Sequence, residues 1–421
     1  MNKRFLPGTG FLLLLFLWSV PAAQAQTEIP LLGYTHGVGV RAIGMGGAFV
    51  GLANDYAATY WNPAGLGQIR RMELTGSLSS LSYQDESTFY GSNSVDKASA
   101  TQLHAVGFVF PIPTYRGSLV FSLGYNRVAS FNGNFLVDGF NSSPGDSVRQ
   151  VGEQIDRGGL RQWVFAGSVQ MSENLYLGGS LNLWTGNYNY SWEMREIDEL
   201  DIWEQSQWLY QDEIDTKING FNMTFGALYN LYNRFRFGAT IETPLSFKGA
   251  EDWNSYTKID YDDNTYWDST STGTYDYHIR KPMTINLGAS LSLPLLTVAG
   301  DVSFIDWSQM EYTSPSDLRT QNRYFIKKMR PVTRYRLGAE MAVPLLNVRL
   351  RAGYMLDPSP YKNDLSSADK NFLTAGFGLL LDRQFTLDAA AVRGWWKRRS
   401  SENLLETITV TQFFVSGSFR F

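Results

Sequence analysis

The stretch Thr407-Ile408-Thr409-Val410-Thr411-Gln412-Phe413-Phe414-Val415-Ser416-Gly417-Ser418-Phe419-Arg420-Phe421 decides the fold class. From Phe413 on, one register reads Phe413, Val415, Gly417, Phe419, Phe421, and the other reads Phe414, Ser416, Ser418, Arg420. That is the period-two pattern of a strand with one apolar face. Chain ends usually fray. A transmembrane β-barrel instead needs its last strand ordered, because that strand closes the sheet and turns an apolar face to lipid.

The other end agrees. Lys3 and Arg4 precede an apolar run, Phe11–Val20, which leads into Pro21-Ala22-Ala23-Gln24-Ala25. This is the order of a signal peptide, so residues 1–25 are expected to be removed and the mature chain to begin near Gln26. No later segment offers about 18 consecutive apolar residues, so helical spans are not expected. Aromatics make up 14% of the chain, yet mean hydropathy is only −0.22, as expected when lumen and lipid faces cancel. The absence of cysteine excludes disulfides, thiolate metal sites and cysteine catalysis. A net charge of −4 argues against nucleic acid as a partner.

Strand-like segments recur at 72–83, 103–110, 117–126, 161–170, 175–185, 220–229, 235–243, 281–293, 296–305, 333–343, 347–355, 372–381, 384–393 and 409–421, about fourteen in all. Six connections are short, and the seven at 84–102, 127–160, 186–219, 244–280, 306–332, 356–371 and 394–408 are long and mostly polar. Alternating short and long connections are what periplasmic turns and outer loops produce. The expected fold is an all-β transmembrane antiparallel barrel over 71–421, with residues 26–70 as an N-terminal hatch, or plug, inside the lumen.

Arginine fixes the register. Arg334, Arg336 and Glu340 share one face of 333–343, and Arg349 and Arg351 one face of 347–355. A mid-bilayer arginine facing lipid costs about 2–4 kcal/mol, so these side chains are expected to line the lumen. There they either brace the barrel as an ion-pair network or steer an anionic ligand.

The segment Gly37–Gly67 reads GVGVRAIGMGGAFVGLANDYAATYWNPAGLG. Its glycines favour close backbone approach, and Asn62-Pro63 is a turn signal. Arg41-Ala42, Gly46-Gly47-Ala48, Ala53-Asn54-Asp55 and Asn62-Pro63-Ala64-Gly65-Leu66 resemble the N-terminal hatch of the FadL/OmpP1/TodX outer-membrane transporters. That resemblance implies passive carriage of hydrophobic compounds, typically long-chain fatty acids, with release through the wall beside a kinked third strand. It also implies an outer-membrane lipid environment, recognition of Phe421 by the barrel assembly machinery, and no cofactor. The wording from Arg41 to Ala48 also resembles a PorV-like group that binds exported proteins of a secretion system.

Asn62, with Pro63, Ala64 and Gly65, is the candidate gating element. Its amide either ties the plug to the wall or only shapes the turn. Gly124 and Gly133 mark a candidate bend beyond 117–126. In loop 186–219, Trp192, Trp203 and Trp208 are candidate ligand-capture residues, and the spacing of Ile197, Leu200 and Trp203 suggests an amphipathic helical turn. Asp260–Asn264 begins like a calcium loop but lacks its Gly and closing Glu, and the three histidines lack metal spacing. No metal site and no enzymatic activity are expected.

Overall fold

The computed structural model describes residues 36–421 except 144, 233 and 383. The signal peptide and the first residues of the expected plug therefore lie outside the described residues.

Eighteen strand segments form one closed antiparallel sheet. They are β1 (Glu73–Phe89), β2 (Ser92–Ile112), β3 (Leu119–Ser130), β4 (Gly133–Asn141), β5 (Val148–Gln170) and β6 (Leu175–Ile197). Next come β7 (Gln205–Leu231), β8 (Phe235–Glu242), β9 (Leu245–Tyr261), β10 (Tyr266–Lys281), β11 (Thr284–Ser292) and β12 (Leu296–Asp306). The last are β13 (Glu311–Ser314), β14 (Pro331–Val343), β15 (Val348–Asp357), β16 (Lys370–Leu380), β17 (Phe385–Ser401) and β18 (Leu404–Arg420). Four wall strands are broken in two: β3/β4, β8/β9, β10/β11 and β12/β13. Counted as staves, the wall has fourteen.

Closure is made by β18 against β1, in register from Glu73↔Arg420 to Phe89↔Leu404. Phe413, Val415, Phe419 and Phe421 are exposed on the outer face, and Gln412, Phe414 and Ser416 are buried on the inner one. The same alternation leaves Leu74, Phe121, Phe165, Phe225, Phe237 and Leu337 exposed around the wall. A soluble protein does not leave an apolar belt of that extent in water. A bilayer solvates it, while the antiparallel ladders pair most of the backbone inside the belt.

The long connections are not loops for most of their length. β1, β6 and β7 run for 17, 23 and 27 residues, where a crossing needs about 9–11. Residues 186–219 form the upper part of the β6–β7 hairpin, so the amphipathic turn expected at Ile197, Leu200 and Trp203 is absent. A ladder that continues above the membrane satisfies the backbone better than an isolated helical turn, whose nucleation is costly. Residues 306–332 do hold a helix, α3 (Asn322–Lys328). Two short helices, α1 (Val40–Gly44) and α2 (Ala58–Trp61), lie in the N-terminal segment.

Candidate functional site

The described N-terminal segment packs against the inner face of the wall. A chain this rich in Gly and Ala has few side chains to fill space, so its backbone comes close to the strands. The wall answers with glycine. Gly107 and Gly124 pair across β2–β3, Gly178 and Gly226 across β6–β7, Gly238 and Gly288 across β8–β11, and Gly338 and Gly353 across β14–β15. A Cβ at Gly338 would sit 2.2 Å from Met45 O, and one at Gly353 2.2 Å from Gly46 N. At Gly238 it would sit 2.1 Å from Val50 O, and at Gly107 1.8 Å from the Tyr56 ring.

Polar ties fix the seated segment. Asp301 on β12 accepts the amides of Phe49 and Val50 at 2.6 and 2.8 Å. Ser290 on β11 donates to Gly51 O, and Thr374 on β16 donates to Gly44 O while accepting from Gly46 N. Tyr56 donates its amide to Glu73 of β1 and its hydroxyl to Asn126 of β3.

Asn62 is fully buried. Its Nδ2 donates to Val50 O within the segment and to Ala227 O of β7, at 2.9 and 3.0 Å. Its Oδ1 accepts from Ala64 N, capping the 3-10 helix Pro63–Gln68, with Pro63 at its first position. The amide therefore ties the wall and shapes the turn together. Ala64 O accepts from Ser168 on β5, and Gly65 lies where a Cβ would meet Ala53 O at 2.3 Å.

The five lumen candidates separate into two groups. Glu340, Arg349 and Arg351 come together, and Arg41 of α1 joins them. Glu340 accepts from Arg41 at 2.9 and 3.0 Å, from Arg351 at 2.7 Å and from Arg349 at 3.3 Å. Arg351 also reaches Asp388 at 2.6 Å, and Arg41 reaches Asn54 at 2.6 Å and Asp55 at 3.4 Å. Arg334 stands apart on Asp357, and Arg336 on Ser303 with its guanidinium over the Trp61 ring. Sequence reasoning missed Arg41, Asp301 and Asp388 as site residues. A lone cation in an apolar segment demands a carboxylate, and that demand was the available signal for Arg41.

Among the described residues, the ladder between β2 and β3 is interrupted, and β4 lies against the unpaired part of β2, where Asn134 donates to Lys97 O. β2 pairs with β3 only from Ala105↔Asn126 to Ile112↔Leu119. Above that, Ser92–Gln102 pairs with β1 alone among the described residues. β3 carries a bulge between Arg127 and Ala129 and stops at Ser130, and β4 then leans across the inner face of β1, where Ser87 donates to Leu136 O and Phe89 meets Gly139. The bend expected beyond 117–126 thus falls between Arg127 and Gly133. A cavity of about 20 Å³ lies beside the opening, lined by Gln102, His104, Arg127, Ala129, Gln412 and Phe414 among others. That is room for about one water.

Above the N-terminal segment, the interior is apolar on one side. Trp61 and Leu66 belong to the same buried cluster as Trp184, Ile218, Phe247, Ile279 and Phe325. The three tryptophans chosen for ligand capture do not converge. Trp192 stacks on Phe135 from β6, and Trp208 lies on β7 opposite Glu196. Trp203 is exposed at the hairpin tip, its indole on Asp146 O. Asp260–Thr265 is the β9–β10 turn, where hydrogen bonds from the Thr265 hydroxyl and amide hold the Asp263 carboxyl below its usual range.

The model of the outer membrane protein transport family OMPP1/FadL/TodX matches residues 159–412. Among solved structures, the chain resembles the Pseudomonas putida toluene transporter TodX at 15% identity and TM-score 0.62, over 92% of this chain and 99% of TodX. It resembles the Ralstonia pickettii toluene transporter TbuX at 15% identity and TM-score 0.59, over 92% and 99% of the two chains. It also resembles a Pseudomonas aeruginosa FadL homologue at 14% and 0.58, over 92% and 98%. No curated protein sequence matches the chain. At these identities the solved structures speak for the fold, and the family model carries membership. This chain belongs to the OMPP1/FadL/TodX family: it is an outer-membrane β-barrel that transports hydrophobic compounds and is not an enzyme.

Proposed function

We propose that the chain carries long-chain fatty acids or similar amphiphiles by passive diffusion, with residues 26–70 acting as a hatch and release passing sideways through the wall. The observation that carries this reading is the unpaired edge of β2 above Ala105, beside a cavity that adjoins His36 and Gly37. An apolar molecule gains about 0.8 kcal/mol per CH₂ on entering the bilayer, so a sideways exit needs no energy source. The buried apolar cluster that includes Phe325, Phe247, Trp184 and Trp61 supports an apolar cargo. Movement of the hatch about Asn62 would open it, a shift that a ligand drives only by binding the open state better.

TodX and TbuX are named as toluene transporters, so a monoaromatic is the competing cargo. The test is saturable binding and vesicle flux of fatty acids of several chain lengths and of toluene, in wild type and Asn62→Ala. Asn62→Ala removes two donated bonds and one accepted bond at a buried site, each worth about 1 kcal/mol and more where a partner is left unsatisfied. Fatty-acid flux altered by the substitution supports the reading. Flux of toluene alone replaces the cargo, and binding of neither returns the PorV-like role in protein secretion.

A further inference from the structure

We infer that the outer face of β17 and β18 is a binding surface for the phosphorylated glycolipid of the outer leaflet. The outward row of β17 reads Leu387, Ala389, Ala391, Arg393, Trp395, Lys397, Arg399. From Phe385 to Trp395 is ten residues. At about 3.3 Å per residue and a tilt of about 40°, that climbs about 25 Å, the height of the apolar band. Trp395 therefore stands at the upper aromatic girdle, and Lys397 and Arg399 stand just above it, where headgroups lie.

Three cations share this row: Lys397 and Arg399 stand two residues, about 7 Å, apart, and Arg393 lies four residues, about 13 Å, below Lys397 with Trp395 between them. Among the described residues, Arg393 donates to the Thr411 hydroxyl, and Arg393, Lys397 and Arg399 have no carboxylate within ion-pair distance. Two exposed cations on neighbouring hairpins are neutralised, Arg280 by Glu311 and Lys248 by Asp276, whereas Lys397 and Arg399 stand two residues apart with no such partner among the described residues. The adjoining row on β18 is hydroxylated, with Thr411, Thr409 and Thr407 opposite Arg393, Trp395 and Lys397. One strand further on, β1 presents Ser82, Gln84 and Glu86. Glu86 accepts from Gln84 and lies two strands, about 10 Å, from Lys397. Guanidinium, ammonium and hydroxyl groups in one plane match phosphate oxygens, which accept charge-assisted hydrogen bonds. Apolar wall below and cations above match a lipid whose acyl chains and phosphates are one molecule.

The test uses the full chain purified from outer membranes in mild detergent, measuring glycolipid retained per barrel. Lys397→Gln with Arg399→Gln should lower retention about tenfold, the scale of one charge-assisted contact. Lys217→Gln on β7 should leave it unchanged. Wild type should also bind vesicles of intact glycolipid about tenfold better than vesicles of phosphatase-treated glycolipid or of phosphatidylglycerol. Unchanged retention in the double variant overturns the assignment, as does equal binding to phosphatidylglycerol or to dephosphorylated glycolipid.

Discussion

Glu340→Ala is expected to loosen α1 of the N-terminal segment from the wall while leaving the barrel closed. Glu340 is the shared acceptor of Arg41, Arg349 and Arg351. Arg351 keeps Asp388, and Arg41 keeps Asn54 and Asp55, but Arg349 has no second carboxylate among its contacts. Stripping one partner from a buried ion cluster costs about 3–5 kcal/mol, and the surviving contacts place this case near the lower figure. The wall does not depend on the cluster, because its backbone ladders close from β1 to β18. The loss therefore falls on the Arg41 contact, the one member of the cluster that joins segment to wall. Hydrogen exchange should show protection lost across Val40–Val50 with the strands unchanged, and bilayer conductance should rise. Glu340→Asp should restore most of the protection. Protection equal to wild type in Glu340→Ala would mean that the cluster braces β14, β15 and β17 and holds nothing else.

Gly353→Leu is expected to have the second large effect, by steric exclusion. A Cβ there would lie 2.2 Å from Gly46 N and 2.3 Å from the Met45 carbonyl carbon, both backbone atoms that no rotamer change can move. Gly46 itself has φ +65°, so the turn it makes resists rearrangement by a bulkier residue. Overpacking costs about 1–3 kcal/mol where side chains adapt, and more where only backbone can yield. The segment must then leave its seat, taking with it the Met45 contact at Gly338. Protease sensitivity of residues 40–60 in an otherwise folded, heat-modifiable barrel is the expected result. Leucine at Gly76, which faces open space on β1, is the control and should behave as wild type.

The parts of the fold that were legible in sequence are those under membrane constraint. Phe413, Val415 and Phe419 against Gln412, Phe414 and Ser416 show the alternation because lipid lies on one side only. Above the bilayer that asymmetry ends. Thr270-Ser271-Thr272-Gly273 in β10 is polar on both faces, so it carries no period-two signal although it pairs in register with Trp253–Tyr256. The outer hairpins read as loops for that reason. The lumen register was legible from Arg351 and Glu340, because no arginine faces mid-bilayer lipid at acceptable cost. Arg336 sharing the face but not the cluster was not legible, since that depends on Trp61 arriving from the N-terminal segment. The glycine pairs were present in the sequence as residues equidistant from short turns, such as Gly338 and Gly353 about Pro344–Leu346. Their meaning needed the segment that lies on them.

The proposed exit for cargo lies between β2 and β3. Ala129 is buried beside that opening, just past the bulge in β3. The most direct test is fatty-acid flux into lipid vesicles through the Ala129→Trp barrel, whose indole is larger than the one-water cavity and must project into the gap. Flux should fall about tenfold against wild type, corresponding to ~1.4 kcal/mol of added barrier, with the N-terminal segment still protected and ligand still bound. Wild-type flux in that folded variant would contradict lateral release and leave the lumen itself as the route.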